Sequence, residues 1–99
     1  MNEASNESLR QAVEGLHGCK AAFKEVVHVT EEFEGETIWD GEIYLFNLKD
    51  HPSAKICYTW SSPIPNSDKR RYFAILHAGA VKSASDAVKA SIVEDYKRD

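Results

Sequence analysis

The sequence predicts an α+β domain: a four-stranded antiparallel sheet flanked by an N-terminal and a C-terminal helix, in the order α-β-β-β-β-α. Three observations carry that prediction. Apolar residues near each end recur at helical spacing, those between residues 22 and 77 alternate with a period of two, and turn-forming residues separate the alternating runs. The chain of 99 residues has the size of one domain, with residues 1–4 read as a frayed end.

The first helix starts after Ser5, a suitable N-cap. Leu9, Ala12, Val13 and Leu16 follow on one stripe, and Gly18 stands where a C-terminal cap belongs. Gly15 weakens this helix. From Ala22 the period changes. Phe23, Val27, Val29 and Phe33 fall on one face of a strand, and Lys24, His28, Thr30 and Glu32 on the other.

Glu34-Gly35-Glu36 reads as a turn into the second strand. There Trp39, Ile43 and Leu45 alternate with Ile38, Asp40, Glu42, Tyr44 and Phe46. Bringing the apolar faces together requires odd positions to pair with odd positions, hence an odd number of loop residues. Phe33 opposite Thr37 meets that condition. It sets Val27 opposite Ile43, Val29 opposite Gly41, and Glu31 opposite Trp39.

Asp50-His51-Pro52-Ser53 forms the next turn, and Ile56, Tyr58 and Trp60 alternate with Cys57 and Thr59 in the third strand. A stiff Pro63-to-Asp68 connection leads to a fourth strand, Arg70 to His77, ended by Gly79. Ser83 and Asp86 resemble a capping box. Ala84, Ala87, Val88, Ser91 and Ile92 form the stripe of the last helix, widened by Ala90, Val93 and Tyr96, and Lys97 and Arg98 suit its C-terminal end.

The simplest assembly is a meander with both helices on one face. The run IYLFNL, residues 43–48, conflicts with it by being apolar on both sides. A wet sheet face reads polar, so something covers the second face: a partner subunit, curvature of the sheet around a helix, or a ligand pocket.

Charge and motifs narrow the function. A net charge of -4 and a pI near 5.5 oppose general binding to nucleic-acid backbones. Cys19 and Cys57 form no CxxC, and the N-terminal sequence lacks the basic start and apolar core of a secretion signal, so a reducing, cytoplasmic setting is expected. No apolar run is long enough to span a membrane. There is no phosphate loop, nucleophile elbow, zinc-protease or dinucleotide motif, and neither a cofactor nor a catalytic residue is assigned.

Six acids crowd residues 31–42 and are read as the solvated tip of a hairpin rather than a metal or catalytic site. His17, Cys19, His51, Cys57 and His77 match no zinc spacing, so no metal is expected. Cys57 and His77 with an Asp would make a thiol-nucleophile set, but nothing in the sequence orders those residues as one. His28 falls opposite Glu42 and is read as an ordinary surface pair.

The favoured reading is a non-enzymatic protein-interaction module that forms a homodimer through an aromatic sheet face, with Tyr44, Phe46 and Leu48 as its contact. One alternative is a small-ligand binder or compact enzyme whose pocket is lined by Trp39, Tyr58, Trp60 and His77. Another is nucleic-acid binding through Lys69, Arg70 and Arg71. A third is an acidic inhibitor protein.

Overall fold

The computed structural model describes the backbone of residues 6–97 and the side chains of residues 6–93. The predicted order is present: α1 (Asn6–His17), β1 (Lys20–Phe33), β2 (Glu36–Lys49), β3 (Ile56–Pro63), β4 (Arg70–Leu76) and α2 (Ala84–Lys97). The strands form one antiparallel sheet in the order β1-β2-β3-β4. The expectations for residues 1–4, Ser5 and Arg98, and for the Tyr96 and Lys97 side chains, fall outside the described region.

The two helices lie on opposite faces, which corrects the expectation that both share one. Leu9 and Val13 of α1 pack with Ala21, Phe46 and Cys57. Ala84, Ala87 and Val88 of α2 pack with Val29, Ile43, Leu45, Tyr58 and Trp60. The strand from Ile43 to Leu48 is apolar on both sides because the chain's own helices sandwich it. Phe46, Leu9, Ile43, Val13 and Val88 are fully buried, and each such side chain contributes about 1.5–3 kcal/mol of transfer free energy.

Helix ends follow the sequence signals. Gly18 at φ 63° closes α1, its N–H donating to Glu14 O at 2.9 Å. Ala21 N donates to a Glu14 carboxylate oxygen at 2.9 Å, which ties α1 to the start of β1. Leu16 departs from the predicted stripe and is 62% exposed. At α2, Asp86 N donates to Ser83 Oγ (3.1 Å), and Asp86 accepts from Lys82 N (3.1 Å), one residue before the capping-box position.

The hairpin register matches expectation in its middle and departs from it at both ends. Val27–Ile43, Val29–Gly41 and Glu31–Trp39 pair as predicted. The loop, however, has two residues, Glu34 and Gly35, both at positive φ (52° and 80°), so Phe33 pairs with Glu36. An unpaired Ile38 then supplies the odd residue that restores the predicted parity. A second bulge, at Lys24, moves Phe23 to the α1 face, where it pairs with Phe46 rather than sharing a face with Val27.

Candidate functional site

The side chains expected to form the contact surface are largely occupied within the chain. Phe46 is fully buried beneath α1, and Tyr44 and Leu48 are half-buried at the margin of the same cluster. Beside them the α1 face stays open. Phe23 (44% exposed) approaches Tyr44 and Phe46 with ring centroids 6.1 and 5.9 Å apart, and Val26 pairs with Tyr44.

Trp39, Tyr58, Trp60 and His77 all belong to the α2 face, yet they divide into two groups. Tyr58 is buried, and its hydroxyl lies 2.7 Å from His77 Nδ1. Burial pushes the Tyr58 phenol above its ordinary pKa. Trp39 instead meets Trp60 edge-to-face at 5.9 Å. Trp60 stacks on Phe73 at 4.9 Å, and the Arg71 guanidinium sits 4.5 Å above Phe73.

This row borders a notch in the sheet. β2 and β3 pair only from Tyr44–Thr59 to Asn47–Ile56. Beyond Tyr44 they open a cleft of about 250 Å³ lined by Leu9, Gly41, Glu42, Tyr44, Trp60, Ser61 and Arg70. A second hollow of about 240 Å³ shares Gly41, Glu42, Trp60 and Ser61 and adds Trp39. A Cβ at Gly41 would come within 3.0 Å of the Trp39 ring, so glycine lets the indole lie against the backbone.

The basic residues do not form one stripe. Arg70 lies on the α1 face and donates through Nε to Ser61 Oγ at 2.8 Å, whereas Arg71 lies on the α2 face over Phe73. Lys69 is exposed in the preceding loop. Phosphate tracking needs cations along one path, and this placement separates the two arginines.

The acids also divide by role. Glu31 has a side chain only 13% exposed. It accepts from Ser85 Oγ at 2.5 Å and lies 3.8 Å from Lys89 Nζ, fastening α2 to β1. Asp40, rather than the directly opposite Glu42, is the partner of His28, at 2.6 Å, and it also accepts from Thr30 Oγ1 at 2.9 Å. These bonds, Thr30 first and then His28, hold the Asp40 carboxyl below its ordinary pKa. Both partners meet the same carboxylate oxygen, Oδ1.

Cys57 and His77 are not brought together. Cys57 packs against α1 while His77 bonds Tyr58 on the opposite face. Burial pushes the Cys57 thiol up to about 12. Cys19 and Cys57 are both free thiols. Among the described residues no cluster of three or more His, Cys, Asp or Glu could hold a metal, and no helix is long and apolar enough to cross a membrane.

Sequence reasoning passed over the open edge of β1. This strand is 14 residues long and among the described residues has one neighbour, β2; the opposite edge, β4, has seven residues. Phe23, Val26 and Phe33 lie on it exposed, and Ile38 is exposed across the hairpin. The signal was available in the two long runs of alternation, which far outlast the third and fourth strands. No family model, curated protein or solved structure matches the chain.

Proposed function

We propose that the protein is a non-enzymatic interaction module that self-associates as a homodimer in a reducing, cytoplasmic setting. One observation carries this reading: of the eight exposed large apolar side chains among the described residues, four, Phe23, Val26, Phe33 and Ile38, lie on the β1–β2 hairpin, whose outer strand has no further strand beside it among those residues. Unpaired strand edges are templates for a further strand, and proteins that keep one long and apolar use it or defend it. The contact therefore moves from the buried Phe46 to the open ground beside it, Phe23 and Val26 with Tyr44. The two free thiols agree with the compartment. Light scattering from low to high micromolar concentration tests the reading. A mass rising towards twice 11.1 kDa supports it, and a constant 11.1 kDa removes it.

The notch between β2 and β3 favours a second reading, capture of a small ligand against Trp60 and Trp39. Its volume of about 250 Å³ falls just under the range of about 300–1,000 Å³ typical of ligand sites, which restricts it to fragment-sized molecules. Saturable change of the tryptophan fluorescence on titration with small aromatic compounds would support that reading. A flat response would count against it.

A further inference from the structure

We propose that the gap where β2 and β3 part is a slot for a short extended segment of a partner protein, with basic side chains on either side of an apolar one. This rests on the ligand capture at the notch proposed above and names the class of ligand.

The backbone carries the argument. Leu48 N donates to Lys55 O at 2.8 Å, so the backbone groups of Leu48 face β3. Successive residues of a strand turn these groups to alternate sides, so those of Phe46, Tyr44, Glu42 and Asp40 face β3 as well. On β3, Ile56 O accepts from His77 N at 2.9 Å and so turns to β4. Cys57, Thr59 and Ser61 therefore turn to β2. Tyr44–Thr59 is the last pair formed, and Glu42–Ser61, the next hydrogen-bonded pair due, is absent. The hollow of about 240 Å³ lies there, lined by residues 39–42 of β2 and 60–63 of β3. Arg70 Nη2 reaches the Ser61 carbonyl oxygen at 3.4 Å, standing in for a β2 N–H. The Ser61 N–H and both backbone groups of Glu42 have no strand to receive them among the described residues.

An extended chain in this gap meets both edges. Because β2 and β3 are antiparallel, it runs parallel to one and antiparallel to the other. A residue facing an antiparallel strand bonds the residue directly opposite, whereas across a parallel pair the bonds slant to the two flanking residues. A residue lodged between Glu42 and Ser61 thus bonds one strand itself while its neighbours bond the other, and both edges are used in one register. Strand addition of this kind draws affinity from the main chain and specificity from alternate side chains.

Three positions follow: between Glu42 and Ser61, between Gly41 and Ser62, and between Asp40 and Pro63. Residues directly opposite share a face. The outer two therefore turn towards the α1 side, each beside a β2 carboxylate. The middle one turns to the α2 side, where Trp39 and Trp60 border the hollow. Asp40 and Glu42 are the charged residues lining it, which calls for basic side chains outside and an apolar one between. Arg70 borders the adjoining hollow and is held on the β3 side by Ser61 Oγ, which accepts from its Nε at 2.8 Å.

Tryptophan fluorescence tests the slot, because Trp39 and Trp60 are the two tryptophans of the chain. Acetyl-Lys-Leu-Lys-amide, whose caps mimic a longer chain, should change it saturably at low salt. N-methylation of the leucine removes one backbone donor and should weaken binding about fivefold. Acetyl-Glu-Leu-Glu-amide should bind at least about tenfold more weakly. An N-methylated peptide that binds as well as its parent, or a glutamate peptide that binds as well as the lysine one, would overturn the proposal. Tighter binding of Lys-Leu-Lys with free ends would overturn the assignment to a segment of a longer chain. If no peptide binds while small aromatic compounds do, ligand capture stands and the peptide slot falls. No response to either overturns both.

Discussion

Replacing Phe46 with alanine separates the two accounts of the second sheet face. If a partner covered that face, the substitution would weaken association and leave the monomer almost as stable as before. The structure instead places Phe46 at 0% exposure against α1, together with Leu9, Val13, Ala21 and Cys57. Phe→Ala at a fully buried position costs about 3–5 kcal/mol, combining lost transfer energy with a residual cavity. A domain of this size has only about 5–15 kcal/mol in total, so a fifth or more of its stability is at stake. With a urea m-value of about 1–3 kcal/mol/M, the unfolding midpoint should fall by at least about 1 M. The melting temperature should drop by at least about 12 °C. Urea titration followed by tryptophan fluorescence reads the change, in dilute protein where association does not contribute. Phe23→Ala, at a ring 44% exposed, is the control and should cost well under half as much. A loss below about 1 kcal/mol for Phe46→Ala would refute the sandwich, because a side chain under a packed helix does not leave so cheaply.

Two further outcomes follow from the site geometry. Cys57 is fully buried with its thiol pushed up to about 12, so a thiol reagent at neutral pH should modify Cys19 alone in the native protein and both cysteines after unfolding. Equal native reactivity of the two would contradict the packing of Cys57 against α1. Asp40 has a depressed folded pKa, so the stability it contributes is present above its ordinary value of 3.8 and is lost as the pH falls through the lowered one. Asp40→Asn should therefore flatten the acid limb of the stability profile below about pH 4. An unchanged limb would mean that the Thr30 and His28 bonds do not hold the carboxylate.

Most of the sheet was legible because alternation and turn residues report local conformation directly. The hairpin shows where that legibility ends. Parity required an odd residue between the matched apolar faces, and the chain supplies one, but as the Ile38 bulge within β2 instead of a third loop residue. Periodicity counts residues and cannot say where an extra one resides. The Lys24 bulge likewise moved Phe23 across the sheet with no change in the pattern of residue types. Helix placement was the larger departure. Residues 43–48 announced two covered faces, and the covering elements were α1 and α2 themselves, one on each side. Their stripes show that each helix buries a face, not which sheet face receives it.

The site was legible in parts. Trp39 and Trp60 do meet, whereas Tyr58 and His77 form a separate bonded pair in the core. His28 was placed opposite Glu42 correctly, yet its side chain reaches diagonally to Asp40. Strand register fixes neighbours, and rotamers choose among them. Glu31 looked like one more solvated acid and is instead the anchor of α2, a contact 54 residues distant that no local pattern encodes.

Hydrogen exchange along β1 tests the central claim most directly. Between Glu25 and Glu31 the backbone N–H groups that point away from β2 have no strand to receive them among the described residues of a single copy. If two copies pair along this edge, those alternate amides should gain protection as protein concentration rises. Fast exchange of the same amides at every concentration, with the inward-facing ones protected throughout, would contradict the account.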